Sequence, residues 1–248
     1  MNDESFARNL DQTGQHYMID KVLINYIVQN SELDKDDVVL EIGYGKGALT
    51  KELSRKCKVI AVDIEDNSFD MKNIVFVHAN ILKVFDDLFE KYKFNKIVAN
   101  IPYNISEPLM RLLFGIHDSL DIVLLTIGKN FSDIMMSREN RVGIVANHLF
   151  DVEVLKVVKP RSFSPPPSVD SAVIRLETKA SDKLTEVYSR LVILDDLKLK
   201  NAFEKIFPEK TKREVRELTD RPLFEKRFYE LNNKEFLELD QVLGDMDG

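Results

Sequence analysis

Val39-Leu40-Glu41-Ile42-Gly43-Tyr44-Gly45-Lys46-Gly47 is an apolar run that closes in three glycines at alternate positions. Val38 to Ile42 reads as a buried strand, the glycines as a tight turn, and Ala48 to Lys56 as the helix that follows. Glycine lets the backbone turn sharply and lets a ligand approach the main chain closely. Outward from this unit the same alternation continues. Val22, Leu23, Tyr26 and Ile27 recur at helical spacing before it, and Lys58 to Val62, Ile74 to His78, Lys96 to Ala99 and Asp121 to Ile127 read as further strands. Val152 to Val158 and Ala172 to Glu177 read as a closing pair. The pattern predicts an α/β protein: a Rossmann-like parallel sheet with an antiparallel terminal strand, and ligands at the carboxyl ends of its strands. Past Thr178 the strand signals stop, and Leu184, Val187, Leu191, Phe236 and Leu237 follow helical spacing. The expected division is therefore an α/β domain over residues 1–177 and a small helical domain over 178–248.

Composition narrows the function classes. No apolar run reaches the roughly 18 residues of a membrane span, and Met1 to Gln15 lacks the plan of a signal peptide. The single cysteine, Cys57, excludes an internal disulfide, so a cytoplasmic protein is expected. The histidines His16, His78, His117 and His148 show no metal-ligand spacing, so no metal site is expected. A net charge of −7 opposes a large, purely electrostatic contact with nucleic acid. A local basic patch is compatible with it, because screening limits distant charges to about 8 Å at physiological salt.

Two positions sharpen the glycine turn. Asp63, at the end of the second strand, is placed to accept hydrogen bonds from ribose hydroxyls, and Asn80, after the third strand, to touch an adenine edge. Dehydrogenases share this topology, so the turn alone does not separate hydride from methyl transfer. The fourth strand does: it runs into Asn100-Ile101-Pro102-Tyr103-Asn104-Ile105-Ser106. The exocyclic amine of adenine is a poor nucleophile, because its lone pair is delocalised into the ring. The side-chain oxygen of Asn100 and a nearby backbone carbonyl suit its two N–H groups, turning the lone pair toward a methyl donor. Pro102 stiffens the turn, and Tyr103 offers a face for the base to stack on, worth about 1–3 kcal/mol.

At this point the chain resembles the ribosomal RNA adenine dimethyltransferase family, small-subunit type, from about Gln15 to Glu177. The stretches that carry the resemblance are Gln15-His16-Tyr17-Met18, the glycine turn, Asn100 to Ser106, and Phe163-Ser164-Pro165-Pro166-Pro167-Ser168-Val169-Asp170-Ser171. The resemblance implies the class I methyltransferase form of the sheet and S-adenosyl-L-methionine as cofactor. It places cofactor contacts on His16, Met18, Gly43, Gly45, Asp63, Asn80 and Asn100, and catalytic roles on Asn100, Pro102, Tyr103 and Phe163, with Phe163 holding the flipped base opposite Tyr103. It further implies dimethylation of adjacent adenosines of the immature small ribosomal subunit; a monomer is expected.

The departures from the family pattern are specific. His16 and Met18 stand for Asn and Leu, Asp63 for Glu, Asn80 for Asp, and Tyr44 for the usual proline of the turn. Ile127 to Asp133 replaces a Gln-Lys-Glu pattern and basic helix that helps contact RNA in relatives. A basic helix early in the C-terminal region of relatives corresponds here to Lys198, Lys200, Lys205, Lys210, Lys212, Arg213, Arg216, Arg221, Lys226 and Arg227, interspersed with glutamates; Lys156, Lys159 and Arg161 are placed to flank the target strand. Three alternatives stay open: a large-subunit methyltransferase of the antibiotic-resistance type, a non-catalytic RNA-binding assembly factor, and a DNA or protein-glutamine methyltransferase, against which Ile101 in Asn-Ile-Pro-Tyr argues.

Overall fold

The computed structural model describes residues 15–180 and 182–247. Apart from Gln15, the polar N-terminal stretch lies outside the described residues. The two-residue strand β1 (Tyr17–Met18) leads into helix α1 (Lys21–Asn30). Asp20 caps α1, its Oδ1 accepting from the amides of Val22 and Leu23 at 2.9 and 3.2 Å. These are two of the four N–H groups that a helix start leaves unpaired. The buried stripe is Leu23, Ile24 and Ile27, whereas Val22, expected on that face, is 73% exposed. One residue step rotates a helix by about 100°, which carries Val22 off the stripe.

The sheet then builds from β2 (Val38–Ile42), α2 (Ala48–Leu53), β3 (Lys58–Asp63), β4 (Ile74–His78), α3 (Ile81–Tyr92), β5 (Lys96–Asn100), α4 (Ser106–Gly115), β6 (Ile122–Gly128), α5 (Lys129–Met136), α6 (Arg141–Leu149), β7 (Phe150–Val158), β8 (Phe163–Ser164) and β9 (Ser171–Thr178). Seven strands pair in the order β4-β3-β2-β5-β6-β9-β7. From β4 to β6 every pairing is parallel. β9 is antiparallel to both β6 and β7, so the expected antiparallel strand sits one place in from the edge. Burial explains the order. Ala172, Val173, Ile174 and Leu176 of β9 are buried, while Asp151, Glu153 and Lys156 of β7 are exposed, as suits an edge.

A second sheet was not read from the sequence. β1 pairs antiparallel with β8, Tyr17 opposite Ser164 and Met18 opposite Phe163. Two residues are too short to show a period, and their partner lies far along the chain.

Helices α7 (Lys183–Ile193), α8 (Leu199–Ile206), α9 (Lys212–Leu218) and α10 (Asn233–Asp247) form the C-terminal region. Their apolar faces join the sheet in one continuous core, which holds Ile97, Leu113, Leu125 and Ile174 together with Tyr188, Phe203 and Phe236. His148 of α6 stacks on Tyr188 of α7 at 4.2 Å, and both reach Asp240 Oδ1 of α10, at 2.7 and 2.8 Å. The basic residues expected on one helix are spread over α8, α9 and the turns after them, and several are ion-paired: Lys198 and Lys200 with Glu225, Arg213 with Glu217, Arg221 with Glu238, Lys226 with Glu235. Among the described residues no helix is long and apolar enough to cross a membrane.

Candidate active site

Strands β3 and β4 lie to one side of β2, with β5 and β6 on the other. The order in which strands are added therefore reverses between β2 and β5, which run parallel, and open α/β sheets bind ligands at the carboxyl ends of such neighbours. A cavity opens there. Its walls include His16, Met18, Glu41, Gly43, Gly45, Asp63, Asn100, Pro102, Tyr103 and Phe163.

Asn80 is the one candidate outside these walls. It is exposed, and its Oδ1 caps α3 by accepting from the Leu82 amide at 3.0 Å. Capping and ligand binding both favour asparagine after a strand, so the sequence does not separate them.

The glycine turn is required by close approaches. Gly43 has φ +75°, and a Cβ there would lie 3.2 Å from the Asn100 carbonyl oxygen. Gly45 has φ +50°, and a Cβ would meet the Tyr17 ring at 2.7 Å. The Gly45 amide donates to Asp63 Oδ2 at 2.8 Å, while Asp63 Oδ1 accepts from the Glu65 amide at 3.1 Å. Asp63 thus fastens the glycine turn to the loop after β3 as well as facing the cavity. Tyr44, at the family's proline position, is 3% exposed. Its hydroxyl donates to the Glu65 carbonyl at 3.2 Å and accepts from the Asn67 amide at 3.1 Å, tethering the turn to that loop. The stiffness a proline ring supplies is replaced here by two hydrogen bonds.

Glu41 was missed as a site residue. It lines the cavity at 1% exposure, and its Oε2 has no hydrogen-bond partner among the described residues. Burial, reinforced by the charge of Asp63, pushes its carboxyl up to about 8. The signal was a lone carboxylate inside a strand otherwise apolar on both faces.

Asn100 ends β5. Its Nδ2 donates to the His16 carbonyl at 2.9 Å, which leaves Oδ1 as an acceptor without a partner among the described residues. His16 is held in turn, its Nδ1 donating to the Pro165 carbonyl at 2.9 Å. The N-terminal segment and the proline loop therefore set the orientation of the Asn100 amide. Tyr103 shares a 2.7 Å hydrogen bond with Ser171 Oγ, and its ring packs over Gly128, where a Cβ would sit 3.4 Å away. Gly128 and Ser171 were not read as site residues, and only the β6–β9 pairing puts them opposite one another. Phe163 lines the cavity but is 3% exposed, packed with Met18 and Tyr44 in an apolar cluster.

These residues fit S-adenosylmethionine. The unpartnered Glu41 oxygen suits an ammonium group, the glycine turn leaves main chain open to close contact, Asp63 presents a carboxylate, and Met18 and Phe163 supply apolar wall. Among the described residues no group of three or more His, Cys, Asp or Glu is placed to hold a metal ion.

A sheet of this order, with a glycine turn after β2, a carboxylate ending β3 and Asn-Ile-Pro-Tyr after β5, places the chain in the Rossmann-like fold class of the S-adenosylmethionine-dependent methyltransferases. A family model described as ribosomal RNA adenine dimethylase matches residues 7–241, and the chain belongs to that family. It is 36% identical over 190 residues to a probable ribosomal RNA small subunit methyltransferase A of Methanopyrus kandleri, an alignment covering 70% of this chain and 66% of that protein. The chain thus spans just under two thirds of that relative's length. A protein of the same description from Pyrococcus furiosus is 29% identical over 256 residues, covering 94% of this chain and 91% of the other. The fold is shared with a crystal structure of a dimethyladenosine transferase from Plasmodium falciparum, at a TM-score of 0.63 and 23% identity, covering 92% of this chain and 98% of that one.

Proposed function

We propose that the chain transfers methyl groups from S-adenosylmethionine to the N6 amine of adenines in small-subunit ribosomal RNA, as a dimethyltransferase acting on the immature subunit during ribosome assembly. In this reading it works as a cytoplasmic monomer, with residues 1–177 forming the catalytic domain and 178–248 a helical domain. The observation that carries the proposal is the fixed amide of Asn100: its Nδ2 is committed to the His16 carbonyl, so its Oδ1 is free to accept at the cavity wall.

Bound in the cavity, S-adenosylmethionine supplies an electrophilic methyl carbon attached to a sulfonium. The protein's part is orientation. Asn100 Oδ1 accepts one N–H of the adenine amine and turns its lone pair toward the cofactor side. Tyr103, anchored by Ser171 and packed on Gly128, presents a fixed ring for the base. Phe163 forms the wall beneath, next to Met18, and is assigned to the other side of the base. Positive charge develops on N6 as it attacks, and the Asn100 dipole stabilises it without reorganising. Burial raises the Tyr103 phenol, which keeps it neutral at physiological pH. The alkylated amine loses its proton to water, so no side-chain base is needed. Held orientation of this kind contributes several kcal/mol of a barrier.

The test is transfer of labelled methyl groups to separated immature small and large subunits, with mass spectrometry of the digested RNA. Dimethyladenosine in small-subunit RNA is expected. Label confined to large-subunit RNA, or none at all, overturns the reading.

A further inference from the structure

Beside the cofactor cavity lies a second groove of about 620 Å³ that shares Tyr17, Met18, Lys46 and Ala48 with it. Its cations are Lys21, Lys46 and Arg55, against one carboxylate, Glu52, which pairs with Arg55 at 2.5 Å. Lys21 and Lys46 have no ion pair among the described residues, and the Lys46 ammonium lies 4.9 Å from the centre of the Tyr17 ring. Lys21 is flanked by Ile19 and Val22, which are 57% and 73% exposed. Farther along α1, Lys156 sits over the Tyr26 ring at 4.7 Å.

The contrast with the helical region decides where a polyanion gains most. There Lys198 and Lys200 share Glu225, Arg213, Arg221 and Lys226 each hold a glutamate, and Lys212 and Arg216, which have no ion pair among the described residues, lie outside the walls of the target cavity. A paired cation must release its partner before it neutralises a phosphate, whereas an unpaired one only sheds counterions. In a chain of net charge −7, two unpaired lysines in a groove that adjoins the target pocket, one of them shared with it, form the surface that suits a phosphodiester backbone.

We infer that the single-stranded RNA flanking the target adenine runs along this groove, its phosphates on the unpaired Lys46 and Lys21 and on Arg55 once it releases Glu52, and its sugars and bases against Tyr17, Ile19 and Val22. The inference rests on the proposed RNA substrate and adds the path of the strand, which leaves the site toward α1 and α2 and away from the helical region. Lys21→Glu with Arg55→Glu tests it, since neither residue lines the cofactor cavity. Glutamate also suits the first helical position that Lys21 occupies, so folding is retained.

Binding to a small-subunit ribosomal RNA fragment is measured by fluorescence anisotropy over a salt series, beside calorimetry with S-adenosylmethionine. The expected result is a loss of RNA affinity of roughly tenfold, and a salt slope shallower by about 1.4, for two phosphate contacts at about 0.7 each on a single strand. Cofactor binding stays unchanged. Lys212→Glu with Arg216→Glu on α9 is expected to stay within about twofold of the unaltered chain. An unchanged affinity for the Lys21/Arg55 variant overturns the inference, whatever the α9 variant does. An unaltered chain that binds RNA through this groove yet transfers no methyl group overturns the proposed activity and leaves the binding surface standing.

Discussion

Among the described residues Asn100 is held by one side-chain hydrogen bond, to a main-chain carbonyl, while its other amide atom, at the cavity wall, has no partner among them. Removing the side chain therefore takes away little packing and the whole of the proposed acceptor. Asn100→Ala is expected to lower kcat by about 10²–10³, the range for loss of one preorganised transition-state contact, with a thermal midpoint close to that of the unaltered chain. Retained activity in a labelled-methyl assay contradicts the role. Glu41 makes a different prediction. Its carboxyl is pushed up to about 8 in the fold, against about 4.3 in an unfolded chain. Between those values the folded chain keeps a proton that the unfolded chain has released, so rising pH favours unfolding. Its contribution to stability is whole below the unfolded value and lost as pH rises through the folded one. Glu41→Gln is neutral throughout, so in the cofactor-free protein its Tm is expected to gain on the unaltered chain from pH 5 to pH 8. Parallel Tm curves across that window count against a buried protonated carboxyl.

At the scale of elements, the short β1–β8 ribbon carries more of the site than its length suggests. Through it Met18 faces Phe163, and just before it His16 binds both Pro165 and Asn100. The ribbon is anchored where α1 begins: Ile19 and Asp20 amides donate to the Ser162 carbonyl at 3.0 and 3.3 Å, and Ser162 Oγ donates to Asp20 Oδ2 at 2.9 Å. Asp20 also caps α1, which holds its carboxyl below the ordinary range through the Leu23 amide first and Ser162 second. Asp20→Ala is expected to cost about 1 kcal/mol in denaturant unfolding, to speed hydrogen exchange at the Val22 and Leu23 amides, and to weaken S-adenosylmethionine binding in calorimetry. Unchanged cofactor affinity despite the lost stability separates the ribbon from the site.

Over the whole molecule, the sheet and the C-terminal helices share one core, and a polar tie crosses between them at His148, Tyr188 and Asp240. Burial acts to raise the Asp240 carboxyl, and the bonds from His148 and Tyr188 outweigh it, holding it below the ordinary range. A depressed carboxylate stabilises the fold above its unfolded value and loses that contribution as pH falls through its folded value. Asp240→Asn is expected to lose about 1 kcal/mol at pH 7, discounted for a side chain 34% exposed. The gap to the unaltered chain should begin to narrow below about pH 4, as pH approaches the lowered folded value. A gap that stays constant as pH falls from 4 until the chain unfolds points to packing rather than charge.

What the sequence determined by itself were the features with a local cause. Apolar runs of strand length, the glycines after β2 and the Asn-Ile-Pro-Tyr turn each declare themselves within a few residues, so the sheet, the glycine turn and the turn after β5 were legible in order. The tertiary structure decided whatever depends on partners distant in the chain. It turned Asn80 into a helix cap, made Tyr44 a tether for the loop after β3, left Glu41 a buried acid, and set Tyr103 between Ser171 and Gly128. It also paired Lys198, Lys200, Arg213, Arg221 and Lys226 with glutamates and left Lys21 and Lys46 without ion pairs among the described residues. A residue's type limits which bonds it makes, but burial and partner choice belong to the packed chain, and those set its charge and its role.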